Sequence, residues 1–471
     1  MEPARNLYKS DIDFAALALQ SRDFAKHLRF NGQLDFHDEA AVRQLTISLL
    51  QHDFGLKVEI PSDRLCPPVS VFVVKLQLTG LRLTHTTGSK QVCGYFTSDK
   101  VQNSYISRHR LNYIIWVQDL LDSTTGSVHD TYDADREVVG LDVGTGCCSI
   151  YPLLGCMTRP RWKFVATDVD EQNARTAREN VALNELQSRI QIIRTDPEGP
   201  LFPLEKLDHK TLDFTMCNPP FYASQEEMLN SAETKSHVPF SACTGAAVEM
   251  IAPGGEVEFV IRMINESLQL RDRIQWYTSM LGKLSSVTTL VERLTEHNNN
   301  NYAVTEFVQG NKTKRWAVAW SWGDRRPAMS VARNIPGFPK HLLPFPADYS
   351  FTLPTETNID SAISTMKSNL GSLSWYWNWD KSTSAGVGFA SENVWSRQAR
   401  RKMKFAKQAG MGHLDVIPQE VALGVRVQLK LLQWKELESK EVQVLVRWIQ
   451  GTDSVLFESF CGMLKRKMED K

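Results

Sequence analysis

Asn218, Pro219, Pro220 and Phe221 have the clearest chemical meaning in the chain; they end the apolar run LDFTMC. Two successive prolines fix φ and remove two backbone N–H groups, so the corner is rigid. Such a corner presents the Asn218 amide and the Pro219 carbonyl as fixed hydrogen-bond acceptors. An exocyclic amino group, with its two N–H donors, matches them. Phe221 supplies an aromatic face on which a base stacks. Upstream, Gly140-Leu-Asp-Val-Gly144-Thr-Gly146 follows another apolar run, and its glycines let the backbone approach a ligand closely. A dinucleotide fingerprint requires a further glycine at position 149, where this chain has Ser149, which argues against nicotinamide or flavin. Asp168, at the tip of the next run, can accept hydrogen bonds from two ribose hydroxyls. Asp170 is better placed to cap the helix that follows. Taken singly, these are a tight turn, a cap and a plain corner. Taken together they point to methyl transfer from S-adenosylmethionine to an amino nitrogen. That chemistry needs no metal and no nucleophilic side chain, because alignment and electrostatics carry it.

The elements that must position these residues are legible in the periodicity. From Arg110 to about Gly323 short apolar runs (VVGLDVG, WKFVATDVD, IQIIRTD, LDFTMCNPPF) alternate with helical stretches such as EQNARTARENVALNEL. That alternation predicts an α/β unit, a parallel sheet covered by helices on both faces. IQWYTSMLG reads as a fifth strand, and AVTEFVQG with RWAVAWSW as a closing antiparallel hairpin. The segment before it, 1–69, reads as helical, with basic residues interleaved with Tyr8, Phe24 and Phe30. Residues 70–109 carry no helical period and read as an insertion, either a loop or translated intron. Residues 325–354 are rich in Pro and read as a linker. Residues 355–471 read as a smaller α+β domain with strands at YSFTL (beginning at Tyr349), SWYWNW, VRVQLKLL and VQVLVRWIQ.

Composition narrows the class. The chain has 471 residues, 54 Lys plus Arg against 54 Asp plus Glu, and 42% hydrophobic residues. That is enough to bury full cores in two or three domains, and it excludes a histone-like polycation. No run approaches the roughly 20 apolar residues of a membrane helix. Eight cysteines without a CxxC pair argue against structural zinc and a disulfide framework, and for a reducing compartment.

The wider text (RLNYIIWVQDLL, IYPLLG, MCNPPFYASQ, CTGAAVEMIAPGGEVEFVIRMINESLQL, WYTSMLGK) resembles the methyltransferase-like protein 16 family. Its members make N6-methyladenosine in U6 spliceosomal RNA, and a bacterial relative modifies ribosomal RNA. The likeness runs from Arg5 to about Trp322 with one interruption. It implies a class I S-adenosylmethionine-dependent methyltransferase with a Rossmann-like seven-stranded sheet. It implies S-adenosyl-L-methionine as cofactor, structured RNA (U6 snRNA) as partner, and the nucleus as location, with the cytoplasm as a second one. Carried over by motif, Arg110 contacts the cofactor carboxylate and Gly144 its methionine or ribose region. Asp168 holds the ribose, and the loop from Asp196 to Gly199 flanks the cofactor adenine. Asn218, Pro219, Pro220 and Phe221 hold the target adenine, Asn218 also facing the cofactor. Arg5, Asn6, Tyr8 and Lys9 match the start of the family's RNA-binding module, and Lys314 and Arg315 its RNA-facing hairpin.

This sequence departs from the family in three places. The hairpin carries an extra residue, Q-G-N-K-T-K-R-W. Ser70–His109 interrupts the text just before Arg110. Residues 225–239, basic and proline-rich in the family, here contain Glu226, Glu227 and Glu233. Two other functions share these motifs: a protein glutamine methyltransferase, whose carboxamide also offers two donors, and an RNA-binding regulator with an inactive methyltransferase fold. The C-terminal domain resembles a KA1-like RNA-binding unit. Its basic segment at 397–407 includes Arg400, Arg401, Lys402 and Lys404, read as phosphate contacts.

Overall fold

The computed structural model describes residues 13–66, 71–72, 105–106, 109–125, 132–207, 209–233, 245–309, 313–354, 357–399, 401, 416–433 and 440–469. The chain opens with three helices, α1 (Phe14–Gln20), α2 (Arg22–Ala25) and α3 (Glu39–Phe54). Asp13, Ser21 and Asp38 cap their N-termini, and Gly55 ends α3 in the left-handed conformation at φ 68. Phe14, Phe24, Leu45 and Leu49 pack into one core with Tyr113 and Trp116, so the helical module shares its interior with the sheet domain.

Most of the segment expected as an insertion lies outside the described residues; β1 (Val71–Phe72) and β2 (Tyr105–Ile106) pair antiparallel near its ends. After α4 (His109–Ser123) come β3 (Val138–Val143), α5 (Ile150–Thr158), β4 (Trp162–Asp168), α6 (Glu171–Leu183), β5 (Ile190–Arg194) and β6 (Leu212–Cys217). Helices α7 (Gln225–Glu233), α8 (Ala247–Met250) and α9 (Gly255–Leu270) lead to β7 (Ile274–Leu281) and α10 (Leu284–Glu296). The hairpin β8 (Tyr302–Gln309) and β9 (Thr313–Trp320), α11 (Met329–Ala332) and β10 (Arg333–Asn334) complete the sheet. Its strand order is β10-β8-β9-β7-β6-β3-β4-β5. Strands β3 to β7 run parallel, and β9 is antiparallel to both β7 and β8.

Two sequence expectations are corrected here. The sheet has eight strands rather than seven, because β10 adds parallel to β8. Residues 325–354, read as a linker, pack against the sheet domain and reach into β11 (Asp348–Thr352). Ile335 and Phe338 sit in the sheet's core, and the Trp116 indole donates to the Val331 carbonyl at 3.0 Å.

The C-terminal domain is a five-stranded antiparallel sheet, β11 (Asp348–Thr352), β12 (Tyr376–Asp380), β13 (Ala385–Ala390), β14 (Leu423–Gln433) and β15 (Lys440–Gln450), in order β11-β15-β14-β13-β12. Helices α12 (Ile359–Gly371) and α13 (Ser454–Glu469) close its core around Met366, Trp375 and Phe460.

Candidate active site

The register of the sheet brings the three motifs together. Val143 at the end of β3 pairs with Thr167 of β4 on one side and Cys217 of β6 on the other. The residues that follow are Gly144, Asp168 and Asn218. They share one edge, where the strand order reverses between β3 and β6, which is where open α/β sheets bind ligands.

The glycine turn is shaped by its neighbours. Gly144 (φ +73) and Gly146 (φ +66) hold conformations that side chains rarely adopt, and open space stands where a Gly144 Cβ would be. Ser149, in place of the fingerprint's glycine, is itself left-handed at φ 48 and fully buried. The amides of Gly144 and Thr145 both donate to the Thr167 carbonyl, at 3.0 and 2.8 Å. The Gly146 amide donates to Asp168 Oδ2 at 2.8 Å. Asp168 also takes the Asp170 amide at 3.0 Å, while Asp170 caps α6 through the Asn173 amide. Burial raises the Asp168 carboxyl above its ordinary value, against the lowering effect of those amide bonds.

The Asn218 corner is fixed from beneath and behind. The buried Tyr113 hydroxyl lies 2.6 Å from Thr278 Oγ1 and accepts the Cys217 amide at 3.3 Å, one residue before Asn218. Behind Phe221, a Cβ on Gly282 would sit 3.0 Å from the ring, so glycine there lets the ring pack closely against the strand end. The buried Glu256 carboxylate holds that strand end by accepting the Gly282 amide at 2.6 Å and the Lys283 amide at 3.1 Å. From the β8–β9 hairpin, the Arg315 guanidinium carbon lies 5.5 Å from the centre of the Phe221 ring. A partly exposed cation–π contact is worth about 0.5–1 kcal/mol, little enough for an incoming base to displace.

The other expected residues are dispersed. Asp196 is exposed, and its loop is held by Arg262 of α9, which donates to the Pro197 carbonyl at 3.1 Å and to the Gly199 carbonyl. Thr195, just before it, donates through its amide to the Asp168 carbonyl at 2.9 Å, so the loop starts beside Asp168. Lys314 is ion-paired to the nearly buried Glu306 at 3.0 Å, which ties up a cation expected to face RNA. Arg110 lies in the first turn of α4. Arg5, Asn6, Tyr8, Lys9, Arg400, Lys402 and Lys404 lie outside the described residues; Arg401 is exposed. Of the acidic segment, Gln225–Glu233 forms α7, in which Glu227 accepts the Ala223 amide at 2.7 Å and pairs with Lys283 at 2.9 Å.

Tyr113, Glu256, Gly282 and Glu249 escaped the sequence reading. The first three support the corner. The Glu249 Oε2 atom accepts the Leu65 and Ala246 amides at 2.8 and 2.9 Å, and its Oε1 lies 3.8 Å from where a Gly146 Cβ would stand.

The profile of a family described as RNA methyltransferase matches residues 2–78 and 106–324. A fission yeast (Schizosaccharomyces pombe) U6 small nuclear RNA (adenine-(43)-N(6))-methyltransferase is 32% identical over 443 residues, 93% of this chain and 96% of its own. Human RNA N(6)-adenosine-methyltransferase METTL16 is 38% identical over 329 residues, 68% of this chain and 50% of its own. Among solved structures, the human METTL16 catalytic domain in complex with hairpin 1 of the MAT2A 3′UTR is 37% identical. It covers 68% of this chain and 94% of that one, with a TM-score of 0.52. With the motifs at one sheet edge and the match running across both the helical module and the sheet domain, the chain belongs to the RNA methyltransferase family.

Proposed function

We infer that this chain transfers a methyl group from S-adenosylmethionine to N6 of an adenine in structured RNA, with U6 small nuclear RNA as substrate. The observation that carries the reading is the register that sets Gly144, Asp168 and Asn218 side by side. The residues fit the cofactor. An open cradle stands at Gly144, and a buried acid follows one strand over. When bound, S-adenosylmethionine supplies a methyl group already activated on sulfonium sulfur.

The chain's own part is positional. Gly144 and Asp168 hold the methionine and ribose regions, with Arg110 on the carboxylate. Asn218 and the Pro219 carbonyl accept the two N–H groups of the adenine amine. An aromatic amine is a poor nucleophile because its lone pair is conjugated with the ring. Holding both hydrogens favours the pyramidal nitrogen that attacks. The proton leaves after transfer, so Asn218 need not act as a base. Tyr113 and Glu256 keep the corner from moving, and that rigidity is where the rate enhancement arises.

The test is tritium transfer from labelled S-adenosylmethionine offered to a U6-type RNA hairpin, to DNA and to protein. Label in the N6-methyladenosine of the hairpin is expected. Label only in protein would point to a glutamine methyltransferase, and none in any acceptor to an inactive RNA-binding regulator.

A further inference from the structure

The glycine turn is held from outside the sheet as well as within it. Three residues between 144 and 149 are left-handed, so the turn is costly to order around a ligand unless something else holds it. The holding comes from an extended segment, Leu56–Cys66, that leaves α3 and crosses α6. Its backbone is grasped by two asparagines of α6 and its C-cap. Asn184 exchanges two hydrogen bonds with Lys57, at 2.9 and 2.7 Å. The fully buried Asn180 accepts the Glu59 amide at 2.7 Å and donates to the Glu59 carbonyl at 2.9 Å. The same Asn180 amide donates to the carbonyl of Cys147, next to Gly146, at 3.1 Å. Further along, Arg64 donates to Gln172 at 2.8 Å and to Asp170 at 3.3 Å, beside Asp168. Leu65 donates to Glu249, whose other oxygen backs Gly146. The Asn180, Arg64 and Leu65 anchors thus end beside the glycine turn or close to Asp168, while Asn184 ties the start of the segment to α6.

We propose that segment 56–66 is a clasp that preorganises the cofactor turn, with Glu249 and Asn180 as its positioning residues. The helical module thereby becomes part of the cofactor site as well as an RNA-binding element. The proposal rests on the methyltransferase reading and deepens it. Neither residue reaches the reacting atoms, so their loss raises the cost of ordering the turn and leaves the chemical step alone.

The test measures S-adenosylhomocysteine affinity by calorimetry, RNA-hairpin affinity, and kcat at saturating cofactor, in the full chain and in Glu249→Ala and Glu249→Gln. Glutamine keeps one oxygen to accept both the Leu65 and Ala246 amides; alanine keeps none. The expected result is S-adenosylhomocysteine binding weakened about tenfold in Glu249→Ala. RNA affinity and kcat should stay near wild type, and Glu249→Gln should restore cofactor affinity. Should Glu249→Ala fail to fold, Arg64→Gln, which frees Asp170 and Gln172, is expected to show the same split. Unchanged cofactor affinity in a folded variant overturns the proposal. So does a parallel loss of RNA and cofactor binding that glutamine fails to restore, because that pattern belongs to a residue holding the fold alone. A wild-type chain that binds no S-adenosylhomocysteine would instead overturn the methyltransferase reading.

Discussion

The proposed chemistry turns on Asn218, which brings a side-chain amide acceptor to the end of β6 at the strand-reversal edge. Asn218→Ala removes that acceptor while Pro219, Phe221 and the glycine turn stay. The expected outcome is loss of methyl transfer, with S-adenosylhomocysteine affinity within a few-fold of wild type. Transfer within a few-fold of wild type would sink the assigned role. The residues proposed to meet a ligand are legible in the sequence because the proposed chemistry restricts their types: glycine where a backbone must approach, acid for a ribose, Asn-Pro-Pro for an amine. The residues that hold them are not. Glu249 bonds to Leu65 across 184 positions, and Asn180 to Glu59 across 121. A carboxylate or amide serving distant backbone looks, in sequence, like any solvated side chain. Arg315 reads as RNA-facing from its motif, but its place over the Phe221 ring joins two segments nearly a hundred residues apart and has no local signal.

At the scale of elements, the alternation of apolar runs with helical stretches yields β3 to β7 and the hairpin, because parallel strands buried on both faces read as continuous apolar text. Strand β13 was missed. Its sequence, AGVGFA, has glycines at 386 and 388, which weaken a strand reading. The structure explains them: Trp375 and Trp377 stack at 5.5 Å on that face, and a Cβ on Gly386 would come within 2.6 Å of the Trp377 ring. The glycines make room for the tryptophans, a cross-strand requirement that no local period carries. The stretch after Asp324 reads as a linker because prolines mark irregular backbone whether it is packed or free. The segment before α4 gives a prediction of its own. The family profile stops at residue 78 and resumes at 106, so residues 79–105 lie outside the match. Excising them is expected to leave a soluble chain with unimpaired cofactor affinity and methyl transfer. An insoluble product, or one that no longer binds S-adenosylhomocysteine, would show that the segment is integral to the fold.

In the whole molecule, the C-terminal domain is joined to the catalytic one by buried arginines. Arg326 stacks over Trp448 at 4.3 Å and donates to the Gly451 carbonyl at 2.8 Å and to the Asn300 carbonyl at 2.7 Å. Burial lowers its guanidinium to about 10, a cost that these carbonyls and the indole face offset. Arg447 of β15 donates to the Ser123 carbonyl at 2.8 Å, Arg136 to Leu121 at 3.3 Å, and Arg325 to Thr124 at 3.2 Å. Three cations therefore meet the carbonyl end of α4, where the helix dipole favours positive charge. The opposite end of α4 carries Arg110, so the C-terminal domain braces the helix whose first turn holds the residue proposed for the cofactor carboxylate. Beyond this mount lies the basic segment 397–407, which we propose contacts RNA phosphates. It holds six Lys or Arg, of which Arg397 and Arg401 are exposed. Phosphate contacts position RNA without reading its bases, and each one lost lowers the log–log salt slope of binding by about 0.7 to 0.9, depending on strandedness. Neutralising Arg400, Arg401, Lys402 and Lys404 together is expected to weaken RNA binding and flatten that slope. Turnover at saturating RNA should hold, because the chemistry sits at Asn218 to Phe221. A salt titration with unchanged affinity and unchanged slope would reduce the segment to a solvated basic stretch with no part in RNA binding.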